Sequence, residues 1–330
     1  MKKTIVGILI SIGGLYLAFR NMDVSDLSGA LAGTNYSWII FSIILMVVSV
    51  WIRAVRWQLL LEPSQHVQIS PLYRSTMIGY FGNSVLPLRL GEFLRAYAVN
   101  RENSNVKPAV AFGTILIERL LDMMGMLLLT VILFFISDLP PWLVKGGQIL
   151  AVVIGIGIIM IIWLAKSKES LKGKLDSISL LQSGFGLKLN NLLHSLSEGL
   201  VTLSQTPRLG LIGIYSLILW LMYWSITYSC VMAVGSELSI IHAGIILVGV
   251  TLVISVPSAP GFIGTYHAAS VLIMSDFLGE PEAISQVFSI LNHAVGFVPF
   301  TLIGLYYFLK SSLKLKEINR TKMTENLEMS

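Results

Sequence analysis

AVAFGTILIERLLDMMGMLLLTVILFFIS, residues 109–137, decides how this chain folds. The run is long enough to cross a bilayer, whose hydrocarbon core takes about 20 apolar residues in a helix. It nevertheless holds Glu118, Arg119 and Asp122 near its middle. A charge at the centre of a membrane helix costs about 2.5–3.5 kcal/mol even on the lenient insertion scale, so these three need partners inside a bundle. Glu118 and Asp122 are four residues apart and share a helix face, while Arg119 can pair with Asp122 at i+3. A purely structural ion network and a functional site would use the same residues.

The rest of the chain matches this stretch. It has 330 residues, 55% of them hydrophobic and 12% charged. A soluble domain carries about 25% charged residues, so too little polar surface is left to face water. Further apolar runs at about 3–20, 37–56, 142–165, 208–234 and 283–309 make six expected spans with 109–137. The expected fold is all-α, a polytopic integral membrane protein. Lys2-Lys3 followed by apolar residues to Phe19 resembles a signal peptide, but Arg20-Asn21-Met22-Asp23 stands where a cleavage site would be. The segment reads as a retained first span. The single cysteine, Cys230, lies in an apolar run and reads as a buried structural thiol. The net charge of +5 comes without a basic patch interleaved with aromatics, so no nucleic-acid partner is expected.

Two apolar stretches are broken. Residues 72–97 contain Gly79, Gly82, Pro87 and Gly91, and residues 240–277 contain Pro257, Pro260, Gly261 and Gly264. Proline removes a donor and disfavours helix before it. Backbone groups freed by a break cannot be satisfied by lipid, so they must face protein or a water-filled cavity. Loop charges set the topology. With a cytoplasmic N-terminus and each broken stretch returning to the side it left, Arg20 and Lys145 face out and Arg119 lies within a span. The other twenty of the 23 Lys and Arg then face the cytoplasm, as the positive-inside rule requires. The two stretches thus read as broken or re-entrant hairpins of opposite orientation, or as pairs of full short helices, each between two long spans, forming an inverted repeat. Paired interrupted segments of this kind point to a transport site near the midplane. One membrane domain, 1–310, is expected. It comprises halves 1–165 and 208–310, an amphipathic cytoplasmic linker 166–207, and a polar tail 311–330, with both termini cytoplasmic.

The candidate substrate-binding residues follow. In the first hairpin, Asn83 can satisfy freed backbone, and Arg89, Glu92 and Arg95 are spaced so that on a helix Glu92 pairs with either arginine. Two guanidiniums around one carboxylate leave a positive charge suited to phosphate, which guanidinium binds through a bidentate fork. Interfacial arginines that satisfy only the charge rule are the plainer alternative. Glu118 and Asp122 are expected to meet Arg89 or Arg95. In the second hairpin, Pro260-Gly261 is a turn signal. Gly261, Gly264 and Thr265 could open a helix whose N–H groups face an anion. His267 is either a proton carrier or a packing residue. Metal-ligand spacings, phosphate-binding loops and Gly-x-Ser-x-Gly are absent, so no cofactor or metal is expected.

Gly79, Asn83, Leu86-Pro87, Arg89, Gly91-Glu92 and Arg95, then Glu118-Arg119 and Asp122, then Pro257, Pro260-Gly261 and Gly264-Thr265 together resemble the lysylphosphatidylglycerol synthase transmembrane-region family. Its members are also called flippase-like domain proteins and include the membrane half of the bacterial multiple peptide resistance factor. The resemblance runs from about residue 5 to residue 310. It implies a cell-membrane protein that moves phospholipid or polyprenyl-linked headgroups between leaflets, with anionic membrane lipids as partners and self-association left open. Family members usually place Glu after the second-hairpin Gly-Thr, where this chain has Tyr266-His267. The short charged tail stands in place of an aminoacyltransferase domain, so aminoacyl transfer is not implied. A membrane-embedded lipid-modifying transferase or its accessory subunit, and a small-solute secondary transporter, are the alternatives.

Overall fold

The computed structural model describes residues 2–86, 89–166, 208–255, 259–311 and 313. The described residues form helices and turns, with no strand among them. In order these are α1 (Lys2–Phe19), α2 (Val24–Ala32), α3 (Tyr36–Leu61), α4 (Ile69–Val85), α5 (Gly91–Glu102), α6 (Pro108–Ile136), α7 (Pro141–Lys166), α8 (Leu209–Ala233), α9 (Ile240–Ile254), α10 (Thr265–Val271) and α11 (Glu282–Lys310). Five of them, α3, α6, α7, α8 and α11, are long and apolar enough to cross a membrane. The protein is an all-α polytopic membrane protein, and each expected apolar run coincides with a helix. Pro87, the Val256-Pro257-Ser258 break, the linker 167–207 and the tail beyond 313 lie outside the described residues.

Local sequence starts these helices where polar residues can cap them. Asp23 opens α2 by accepting from the Ser25 and Asp26 amides at 2.7 and 3.2 Å. Asn35 opens α3 by accepting from Ser37 N at 3.1 Å. Ser239 and His242 form a reciprocal capping box on α9. Helix α2 was not expected from the sequence. It has nine residues, fewer than half of what a span takes, and buries none of them.

α3 and α8 run antiparallel along their full lengths. At one end Asn35 N donates to Ala233 O at 2.8 Å, and at the other Arg208 pairs with Glu62 at 3.1 Å. Two hairpins pack on this frame. The first is α4–α5. Its open end is held by Arg74 and Glu102 at 2.5 Å, and it lies on the Glu62 side of the bundle. Its closed end is clasped by Asn83 Oδ1, which accepts from Gly91 N at 2.9 Å. The second is α9–α10, which runs on into a π-turn, Leu272–Phe277. Its open end lies on the Asn35 side, where Ser236 donates to Glu280 at 2.9 Å. The closed ends meet inside the bundle, where Arg89 Nη2 donates to Ile254 O at 2.9 Å. α5, at 12 residues, is shorter than a full crossing takes.

Glycine permits the close approach within the first hairpin. A Cβ on Gly82 would lie 2.8 Å from Gly91 Cα, and one on Gly79 would lie 2.8 Å from Arg95 Cβ. A Cβ on Gly91 would overlap the Gly79 carbonyl and the Asn83 side chain. α11 approaches α4 equally closely, because Gly304 faces the Met77 carbonyl. It reaches both hairpins. Thr301 Oγ1 donates to Ser84 Oγ at 2.9 Å and Asn292 Nδ2 to Tyr266 Oη at 2.7 Å. Gly91→Ala places a methyl group against backbone that cannot rotate away. Overpacking of this kind costs about 1–3 kcal/mol, so the variant is expected to melt several degrees below wild type in detergent, measured by circular dichroism. An unchanged melting temperature would refute this packing.

Candidate functional site

α6 presents Glu118 with no exposure at all, and an ionised carboxylate taken out of water must be paired or it does not stay charged. α5 supplies Arg95, whose Nη1 and Nη2 donate to Glu118 Oε1 and Oε2, both at 3.0 Å. This is the bidentate fork that only guanidinium offers. α3 supplies two more arginines three residues apart. Arg53 Nη1 donates to Glu118 Oε1 at 2.5 Å and to Asp122 Oδ2 at 2.9 Å. Arg56 Nη2 donates to Asp122 Oδ1 at 2.7 Å. α8 completes this layer: Arg53 Nη2 donates to Tyr223 Oη at 3.1 Å and Arg56 Nη1 to Ser216 Oγ at 3.0 Å. The Arg95 guanidinium also lies 3.9 Å from the Trp57 ring centroid, a cation–π contact, and Trp57 Nε1 donates to Thr114 at 2.9 Å.

In front of this layer lies a cavity of about 570 Å³ between the hairpin tips and α3, α6, α8 and α11. Its charged wall is Arg53, Arg89, Glu92, Arg119 and Asp122, and Asn83, Tyr266, Asn292 and His293 add neutral polar groups. Much of the remainder is apolar, including Met46, Met126, Leu150 and Val250. Arg119 is held loosely, 3.3–3.6 Å from Glu118, Asp122 and Glu92, with its side chain 30% exposed. Arg89 has no carboxylate within ion-pair distance among the described residues. Besides Ile254 O, its guanidinium sits 5.0 Å from the Phe262 ring centroid.

The expected pairings are partly corrected. Glu118 meets Arg95, and Arg119 reaches Asp122, as the spacing suggested. Arg89, however, does not meet Glu118 or Asp122 and does not pair with Glu92. It precedes α5 and has φ 56°, so the i, i+3 helical relation to Glu92 does not hold. Glu92 pairs with Arg119 instead of Arg95. In the second hairpin Pro260 opens a short 3₁₀ turn. Gly261 lines the cavity, and its carbonyl accepts from His293 Nε2 at 2.8 Å. Gly264, Thr265 and His267 turn toward α1. Gly264 (φ 92°) packs against the Ser11 backbone, and Gly14 faces both Gly264 and Thr265. The His267 ring stands between Phe19 and His293, with centroids 5.9 and 4.9 Å away. The first turn of α10 therefore packs on α1 and does not point an open N-terminus at the cavity.

Arg53 and Arg56 are the residues that sequence reasoning misplaced. They belong to the twenty Lys and Arg that the loop-charge rule sets in the cytoplasm, yet they are 4% and 0% exposed. The available signal was the apolar run that continues after them through Trp57, Leu59, Leu60 and Leu61. It sets both arginines more than a turn inside the helix. Among the described residues, no group of three or more His, Cys, Asp and Glu could hold a metal ion.

Broken hairpins meeting around a charged cavity define a helical membrane protein with an internal polar site. The chain belongs to the lysylphosphatidylglycerol synthase transmembrane-region family, whose model matches residues 4–304. A UPF0104 membrane protein of Pyrococcus horikoshii is 24% identical over 83% of this chain and 87% of its own length. Another, from Methanocaldococcus jannaschii, is 25% identical over 73% of this chain and 99% of its own. Glycosyltransferase AglD of Haloferax volcanii is 22% identical over 89% of this chain, and the match covers 52% of that protein. No solved structure matches the chain.

Breaking a buried pair costs about 3–5 kcal/mol, because it leaves an uncompensated charge. Glu118→Ala strips the shared acceptor from Arg53 and Arg95. The variant is expected to lose its cooperative thermal transition or to melt far below wild type, while an exposed control, Lys145→Ala, shifts little. Equal melting of the two variants would contradict the assigned role of the network.

Proposed function

We propose that this protein moves an anionic lipid headgroup between membrane leaflets through the cavity at which the hairpin tips meet. The observation that carries this reading is the cavity wall itself. Arg89 and the loosely held Arg119 line it, while Arg53, Arg56 and Arg95 are bonded to Glu118 and Asp122. Guanidinium suits phosphate oxygens, and the apolar remainder of the cavity suits the first part of a hydrocarbon chain. In this reading both hairpins re-enter on the side they left, one from each leaflet, so a headgroup in the cavity has a route toward either side. The protein sits in the cell membrane with both termini cytoplasmic. Removing the buried Arg53, Arg56 and Arg95 and the cavity-lining Arg89 from the loop-charge count leaves the asymmetry in place.

A second reading is a membrane-embedded lipid-modifying transferase or its accessory subunit, in which Glu118 or Asp122 acts on a lipid phosphate. The likeness to the Haloferax glycosyltransferase favours it. Both carboxylates are already engaged by guanidiniums, which leaves them poor bases and weighs against it.

The test is leaflet exchange of labelled anionic lipid in vesicles reconstituted with the purified protein. The wild type is expected to accelerate exchange above protein-free vesicles. Loss of a charge-assisted hydrogen bond costs about 1.5–3 kcal/mol, or roughly tenfold or more, so Arg89→Ala and Arg119→Ala should each slow exchange by about that factor while remaining folded. Fully active, folded Arg89→Ala would refute the role. Product formation from added sugar donor and lipid, without exchange, would establish the second reading instead.

A further inference from the structure

We infer that the cavity selects a lipid-linked phosphate carrying two negative charges, as a phosphomonoester or diphosphate does, over a monoanionic phosphodiester. The inference rests on the lipid reading above and follows from the charges around the cavity. The charged side chains that line it or stand directly behind its wall are Arg53, Arg56, Arg89, Arg95 and Arg119 against Glu92, Glu118 and Asp122. Among the described residues, five guanidiniums face three carboxylates, so two positive charges are uncompensated there. His293, the histidine in the lining, donates from Nε2 to the Gly261 carbonyl and needs no charge to do so.

The surplus sits on the face a ligand would touch. Arg53, Arg56 and Arg95 are bonded to Glu118 and Asp122 at 2.5–3.0 Å and are buried. Arg119 is shared among three carboxylates at 3.3–3.6 Å. Arg89 donates one hydrogen bond, to an uncharged carbonyl, and rests on a ring face. A guanidinium has five N–H donors, so Arg89 keeps most of its capacity for a ligand. A buried charge without a partner is unfavourable. A monoanionic phosphodiester would leave one such charge in place, whereas a dianion leaves none.

The experiment uses the 330-residue chain in a neutral detergent at about pH 8, where a phosphomonoester, with its second pKa near 6, is dianionic. The probes are dioctanoyl phosphatidic acid, dioctanoyl phosphatidylglycerol and inorganic phosphate, followed by tryptophan fluorescence, since Trp220 lines the cavity. One additional charge pair predicts that phosphatidic acid binds about tenfold or more tightly than phosphatidylglycerol. Arg89→Gln should abolish that preference and Arg89→Lys should retain it. The wild-type comparison decides even if a variant fails to fold. Equal binding of the two lipids overturns the inference and leaves the lipid reading standing. Inorganic phosphate binding as tightly as phosphatidic acid upholds selection of a dianion but overturns the lipid reading. Absence of binding by all three overturns both.

Discussion

The Glu118 carboxylate is the constraint on which the rest of the structure depends. Moving one ion of its size into a dry interior has an idealised cost of about 20 kcal/mol, of which several remain after relaxation. The chain meets that cost with arginines from separate elements. Arg95 comes from the returning arm of the first hairpin, Arg53 and Arg56 from α3, and Arg119 from Glu118's own helix. Asp122 is the second anion needed to hold so many cations together. Satisfying these two groups fixes how α3, α5 and α6 sit relative to one another. Through Ser216 and Tyr223 it also registers α8.

Once that register is set, the hairpins have little freedom. α5 can bring Arg95 to Glu118 only if it lies close against α4, and the glycines at 79, 82 and 91 allow the two backbones to touch. The turn between them then projects Arg89 across the interior to the second hairpin. There it reaches the carbonyl that ends α9, where a cation is favoured by the helix dipole. Arg89, Gly261 and Phe262 all adopt positive φ at this junction. Two of the three are not glycine, and residues held in that region are costly and cluster at ligand clamps and switch points. α1 closes the far side, joined to the second hairpin by Ser11, which accepts from Ala259 N at 3.1 Å.

The long helices and the two breaks were legible because the bilayer imposes a length on apolar runs and punishes exposed backbone, both of which are written locally. Glu118, Arg119 and Asp122 were legible for the same reason, since charge within an apolar run is conspicuous. Arg53 and Arg56 were not, because an arginine near a helix end satisfies the positive-inside rule equally well, and only three-dimensional packing distinguishes a loop charge from a buried one. The pairing of Arg89 was misread for a backbone reason. An i, i+3 spacing implies contact only on a helix, and the turn runs through residue 89. Gly264, Thr265 and His267 face α1, a long-range contact that no local pattern encodes. α2, at nine residues, is too short for the length of an apolar run to mark it.

The central claim is that the charged wall between the hairpin tips receives a phosphate. The most direct measurement is an experimental structure of the protein in lipid nanodiscs containing an anionic lipid. Phosphate density is expected in the cavity within hydrogen-bonding distance of both Arg89 and Arg119, with Arg53, Arg56 and Arg95 still bound to Glu118 and Asp122. A cavity empty of lipid under those conditions, with a phosphate bound elsewhere on the protein, would contradict it.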